Sequence, residues 1–168
     1  ARILAAVPLS EEDALAAGSA LLAEGTEARI ERGVLRATRT RSLGAIPLSS
    51  TPAKALDPEE ATALVAQHLA ARGLSELGWG KEASSLRERL RALHEALGDP
   101  WPDVSDEALA GSAEQWLAPW GRSLASGSPL SQVSMLEVLR AMLPWPQAAR
   151  LDELAPEKLP IPSGGTRP

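Results

Sequence analysis

The hydrophobic period of this 168-residue chain changes at Asp57, and no other feature constrains its fold as strongly. Before Asp57 the apolar pattern is short and mixed. After it, apolar residues recur every three or four positions, the spacing of one helix face. The junction carries its own start signal. Asp57 can cap the first free N–H groups, Pro58 suits the first helical position, and Glu59-Glu60 place negative charge where a helix N-terminus favours it. Ala61, Leu64, Val65, His68 and Leu69 then share a face, and Gly73 is a suitable end. A second helix is predicted over 81–97, with Leu86, Leu90, Leu93 and Leu97 as its seam, broken by Gly98-Asp99-Pro100-Trp101-Pro102. Ser105-Asp106-Glu107 opens a third, with Leu109, Trp116 and Leu117 inward. Ser128-Pro129 opens a fourth through Val133, Leu136, Leu139, Arg140 and Leu143. Pro144-Trp145-Pro146 stops that helix and starts a short last one carrying Leu151 and Leu154.

Ahead of Asp57, residues 2–7 read as a buried strand closed by Pro8. Ser10-Glu11-Glu12-Asp13 reads as the start of a helix running to Glu24 and ending at Gly25. Residues 28–31, a turn at Arg32-Gly33, and residues 34–41 alternate Ile, Val and Thr with Arg, as a half-exposed β-ribbon does. Residues 43–48 read as its continuation or as a further strand. No repeat of fixed period is present. The fold class that follows is α+β, mostly α: a small β-rich head followed by a bundle of four or five short antiparallel helices.

Composition sharpens this reading. The chain has no Phe, Tyr or Cys, two Met and five Trp, so Leu, Ala and Val must fill the core around a few indole plates. A genome rich in Ala, Arg, Leu and Pro codons suffices to explain that bias. Without cysteine, disulfides and thiolate metal sites are excluded. No apolar run approaches the roughly 18 residues of a membrane helix, and the run ending at Pro8 is too short for a signal-peptide core. A reducing, cytoplasmic setting is therefore expected. The net charge of -5 argues against a protein that coats nucleic acid over its whole surface. The chain lacks a starting Met and ends in Ile161-Pro162-Ser163-Gly164-Gly165-Thr166-Arg167-Pro168, which leads us to expect a piece of a longer protein.

The motifs of enzymes are missing. No Gly-Lys-Ser or Gly-Lys-Thr occurs; Trp79-Gly80-Lys81-Glu82 has the wrong partner, and Ser163-Gly164-Gly165 reads as a turn. There is no Gly-x-Ser-x-Gly elbow. His68 and His94 read as packing or surface residues, and Glu59-Glu60 and Asp106-Glu107 as helix N-terminal charges. We therefore expect no catalytic, cofactor-binding or metal-ligating residue. One stretch does stand out: five Arg and a single acid, Glu31, lie between Arg29 and Arg41. On a ribbon, Arg29, Arg36, Arg39 and Arg41 are candidates for a phosphate backbone, to which guanidinium is well matched. The alternative is a solvated edge using charge to prevent strand pairing. Arg87-Glu88-Arg89-Leu90-Arg91, with acids at helical spacing, reads as a helix surface. Trp116 and Trp120 read as core rather than as base-stacking plates, and Trp145 as the cap of a helix junction.

Several segments, taken in order, resemble the region that follows the motor of HrpB-type helicases. They are Leu35-Arg36-Ala37 with Leu43-Gly44-Ala45, then Arg72-Gly73-Leu74 with Leu77-Gly78-Trp79, and Leu86-Arg87-Glu88-Arg89-Leu90. Trp101-Pro102-Asp103, Ser105-Asp106-Glu107-Ala108-Leu109 and Trp116-Leu117-Ala118-Pro119 follow. Met142-Leu143-Pro144-Trp145, Arg150-Leu151-Asp152-Glu153-Leu154 and Ile161-Pro162-Ser163-Gly164 complete the series. The resemblance implies a bacterial parent of the DEAH/RHA group, in superfamily 2, that hydrolyses ATP with Mg in two RecA-like domains while moving along nucleic acid, usually RNA. It implies that residues 1–53 end an OB-like domain and that 54–168 form a helical C-terminal extension. The implied partners are the parent's own motor domains and single-stranded RNA, with no membrane. The family's Walker A and Asp-Glu-x-His elements match nothing in this chain, so no catalytic residue carries over, and the family pattern runs on beyond Pro-Ser-Gly. Two roles stay open: nucleic-acid guidance, or a purely structural or protein–protein interaction module.

Overall fold

The computed structural model describes Gly18, residues 21–53 and 56–157, and the backbone of 159–160 and 166–167. The strand expected at 2–7 and most of the helix expected from Ser10 lie outside the described residues. The chain divides into two compact units, one of residues 1–29 with 36–55 and one of 30–35 with 56–168.

The sheet is three antiparallel strands in the order β1 (Leu22–Glu31), β2 (Val34–Leu43), β3 (Ile46–Pro52). Arg32 and Gly33 both have positive φ, 53° and 72°, which gives the two-residue turn whose twist matches that of a hairpin. Gly44, at φ 59°, makes the second reversal, and its N–H donates to Leu21 O at 2.8 Å. β2 pairs with β3 from Thr38↔Pro52 to Leu43↔Ile46, with a bulge between Arg41 and Ser42. Residues 43–48 therefore hold a turn and a further strand. The helix expected to reach Glu24 is corrected: β1 begins at Leu22, and Gly25 is a strand residue rather than a helix cap. Strand pairing with β2 outweighs the local helix signal of that segment.

In the helical unit, α1 (Pro58–Arg72) starts as the sequence predicts, with Glu59 N–H donating to the Asp57 carboxylate at 3.0 Å. Its buried stripe is Ala61, Thr62, Val65, Ala66 and Leu69, while Leu64 and His68 are only half-buried. The stripe is rotated because α1 crosses a glycine: a Cβ on Gly121 would stand 2.9 Å from Pro58 O and 3.1 Å from the Thr62 methyl. Small residues on both sides let the backbones approach. The next helix, α2, covers Lys81–Leu97 and buries Ala83, Leu86, Leu90 and Leu93. Leu97 is 56% exposed, so the seam ends a turn before the helix does.

The expected third helix is broken. α3 (Asp106–Gly111) is capped by Ser105, and α4 (Ala113–Leu117) follows after Ser112, whose hydroxyl donates back to Ala108 O at 2.9 Å. Pro119 then lies in a 3-10 turn over Ala118–Trp120, and the short α5 (Gly121–Ala125) follows. Leu109, Trp116 and Leu117 face inward as expected. The expected fourth helix starts later than Ser128: Leu130–Gln132 is a 3-10 turn, and α6 (Met135–Met142) is capped by Ser134. It buries Met135, Val138 and Leu139, leaving Leu136 and Leu143 half-buried. The delay has a non-local cause. Gly78 N–H donates to Val133 O at 3.0 Å and Met135 N–H to Gly78 O at 3.3 Å, a pairing that needs extended backbone at 133–134. The last helix, α7 (Trp145–Leu154), has no buried residue. Beyond it, β4 (Leu159–Pro160) pairs antiparallel with β5 (Thr166–Arg167); the turn expected at Ser163-Gly164-Gly165 lies outside the described residues. The class is α+β, mostly α, with seven α-helices of the helical unit among the described residues, two long and five short, where four or five short ones were expected.

Candidate nucleic-acid interface

The sheet distributes its arginines by a simple rule. A two-residue turn at Arg32-Gly33 fixes the register of β1 and β2, setting Glu24 against Arg41, Gly25 against Thr40 and Arg29 against Arg36. Two observations carry that register: the Arg41–Glu24 ion pair at 3.1 Å and the Thr40 hydroxyl donating to Gly25 O at 3.3 Å. Side chains alternate along a strand, so Arg29 and Arg36 share one face, with Glu27 and Glu31. Arg39 and Arg41 lie on the other, beside Ser49 and Thr51 of β3. All four arginines are exposed. The four candidate arginines are therefore split between two faces, because an odd spacing reverses the face. Arg39 has no ion-pair partner among the described residues and lines a hollow of about 280 Å³ with Thr51, Pro52 and Ala53. The Arg41–Glu24 pair is half-exposed on both sides, so water screens it and it contributes little. No aromatic residue occurs between 21 and 53, so the sheet offers no stacking plate.

The helical unit holds charged contacts that the sequence reading placed on a plain surface. Arg87 Nε donates to Val104 O at 2.8 Å and Nη2 to Asp106 Oδ1 at 2.7 Å, while the guanidinium lies 5.0 Å from the Trp79 ring centre. Arg89 Nε donates to Ala155 O at 2.5 Å, and its other nitrogens reach Asp152 and, at 3.5 Å, Glu157. Their partners stand up to 68 residues away, so no local pattern could have found them. Of the tryptophans, Trp116 is core, its indole N–H donating to Leu109 O at 2.8 Å, whereas Trp145, expected as the cap of a helix junction, is 82% exposed. His68 Nε2 meets Glu76 Oε1 at 3.2 Å and His94 Nδ1 meets Trp101 O at 2.7 Å, both within hydrogen-bond distance. The backbone N–H and then the hydroxyl of Ser105 hold the Asp103 carboxylate below its ordinary pKa, outweighing a small opposing push from burial, and His94 adds to the lowering.

Among the described residues no group of three His, Asp or Glu is placed to hold a metal ion. They do not fit ATP with Mg either. The glycines before Lys81 do not form a phosphate-wrapping loop, since Gly78 is clamped against 133–135 and Gly80 caps α2. No helix among the described residues is long and apolar enough to cross a membrane.

Comparison with known proteins defines the class as the C-terminal, accessory region of a helicase. Residues 116–168 match the family model described as ATP-dependent helicase C-terminal. Over 134 residues the chain is 31% identical to the ATP-dependent RNA helicase HrpB of Escherichia coli (strain K12), a match covering 79% of this chain and 17% of that protein. It is also similar to the crystal structure of the Escherichia coli DEAH/RHA helicase HrpB, with a TM-score of 0.59 and 28% identity over 87% of this chain and 19% of the other. A crystal structure titled E. coli DExH-box NTPase HrpB gives a TM-score of 0.57 and 26% identity over 95% of this chain and 20% of the other. The chain is similar to the C-terminal region of HrpB-type helicases and spans about a fifth of the length of these relatives.

Proposed function

We propose that this chain is a non-catalytic accessory part of an HrpB-like, ATP-dependent RNA helicase, working in the bacterial cytoplasm beside a motor that supplies ATP and Mg chemistry. In this reading residues 1–53 close an OB-like domain and 54–168 form the extension that packs on the motor. The face bearing Arg39 and Arg41 guides single-stranded RNA. The observation that carries the assignment is the likeness to HrpB over 79% of the chain. Guidance is supported by Arg39, exposed next to the Thr51 hydroxyl and the open hollow, where a guanidinium can meet phosphate oxygens. Without an aromatic plate, binding is weak and mainly electrostatic.

Titrating a labelled single-stranded RNA tests this directly. Arg39→Ala/Arg41→Ala weakens binding several-fold and lowers the salt slope by about 1.4, roughly 0.7 per lost phosphate contact. Arg29→Ala/Arg36→Ala, on the other face, leaves binding nearly unchanged. Equal binding by the wild type and the Arg39/Arg41 variant would remove the guidance role. A second reading, a scaffold without nucleic-acid contact, is favoured by the Arg41–Glu24 pair and by Trp145 standing in water. Capture of the motor domains that is lost in Trp145→Ser, together with unchanged RNA binding by the Arg39/Arg41 variant, would establish it.

A further inference from the structure

We infer that the helical unit carries a second strand-binding element, a cleft that takes the phosphodiester backbone of a single-stranded nucleic acid through Arg72, Arg87 and Arg91. It lies between the end of α1, the first half of α2 and the start of α3, encloses about 600 Å³, and is lined further by Trp79, Ser75 and Ser84. The inference rests on the nucleic-acid reading of the parent but on none of the sheet arginines.

The cleft is built around a fixed guanidinium. Arg87 is held at once by Val104 O, by the Asp106 carboxylate and over the Trp79 ring, which itself donates to Leu74 O at 2.8 Å. Its planar fork therefore loses little freedom on meeting a phosphate. Arg72 has no ion-pair partner among the described residues. Among the described residues Arg91 pairs with Glu95 one helical turn on, at 3.6 Å, with both side chains about two-thirds exposed, a contact that a phosphate can displace at small cost. Two acids line the cleft: Asp106, already paired with Arg87, and Glu88. Three guanidinium groups face these two lining carboxylates, and a positive excess beside the indole develops once a phosphate displaces Glu95 from Arg91. Serine hydroxyls add neutral donors to phosphate oxygens. An acidic peptide is the less suitable occupant, since it makes no use of the Trp79 indole, which lines the cleft beside the Arg87 guanidinium that covers one of its faces and whose remaining surface suits a nucleobase or sugar edge.

The test uses the whole chain, a labelled single-stranded RNA and the indole N–H signal of Trp79, assigned by loss in Trp79→Phe. The Arg72→Glu/Arg91→Glu variant changes exposed residues and keeps the Arg87 clamp. The wild type is expected to shift the Trp79 signal on adding RNA; the variant is expected to bind about tenfold more weakly with that shift abolished. Unchanged affinity, or no movement of the Trp79 signal, would overturn the cleft. So would equal occupancy by oligoglutamate or by inorganic phosphate, which would assign it to an acidic peptide or a small anion. Repeating the titration in Arg39→Ala/Arg41→Ala separates this from the sheet reading: binding through the cleft persists there and is lost only when Arg72 and Arg91 are reversed as well.

Discussion

Arg87 and Arg89 are two positions apart on α2 and serve different parts of the unit. Arg87 ties α2 to the start of α3, and Arg89, whose side chain is only 12% exposed, holds the end of α7 through Ala155 O, Asp152 and Glu157. Since α7 has no buried residue, this polar anchor fixes its C-terminal end. Arg89→Ala should cost about 2 kcal/mol, the scale of lost charged hydrogen bonds, and speed amide exchange over residues 152–157 more than over α1. Uniform exchange rates in wild type and variant would remove the anchor. Asp103 offers a pH-dependent counterpart. Its folded carboxylate is favoured by the Ser105 N–H at 2.9 Å, so its stabilisation is complete above the ordinary carboxylate range and fades as pH falls through the lowered folded value. Asp103→Asn keeps an acceptor for Ser105 and removes the charge. The stability gap between wild type and variant, followed by chemical denaturation, should be present near neutral pH and close as pH falls through the lowered folded value, below the ordinary carboxylate range.

Turns and crossings decide the elements. Arg32 occupies a left-handed position that asparagine tolerates better, so Arg32→Asn should stabilise the hairpin by up to about 1 kcal/mol, seen as a raised denaturation midpoint. Gly78 is constrained by space: an added Cβ would stand 2.6 Å from both Ser131 O and Val133 O. Because both neighbours are backbone, Gly78→Ala should destabilise by about 2 kcal/mol or more, and Gly121→Ala, facing one backbone oxygen and a methyl, by somewhat less. If Gly78→Ala melts with the wild type, the pairing of 78 with 133–135 is not what delays α6. These elements also show what could be read in advance. The starts of α1 and α3, the whole of α2 and the Arg32-Gly33 turn follow from caps, apolar spacing and turn residues within a few positions. The break at Ser112, the late start of α6 and the strand at Leu22 do not, because each is settled by a partner distant in sequence or by a hydroxyl competing for a backbone carbonyl. The candidate site divides the same way. The arginines were visible as a run, but their faces needed the register, and the Arg72–Arg87–Arg91 cleft needed the helices assembled.

At the scale of the whole molecule, the core among the described residues is made of Leu, Val, Met135 and a few small residues, with Trp101 and Trp116 as its buried plates, as a chain without Phe or Tyr requires. The described residues hold neither a phosphate-wrapping loop nor a cluster of metal ligands, and their charged groups act as anchors or as exposed arginines. On the likeness to HrpB, we propose that nucleotide chemistry resides in a motor elsewhere in the parent and that this chain supports it. ATP turnover by the purified chain, with and without single-stranded RNA, tests that assignment most directly. Phosphate release indistinguishable from the enzyme-free blank in both conditions is the predicted result; turnover that rises with protein concentration and is stimulated by RNA would contradict it.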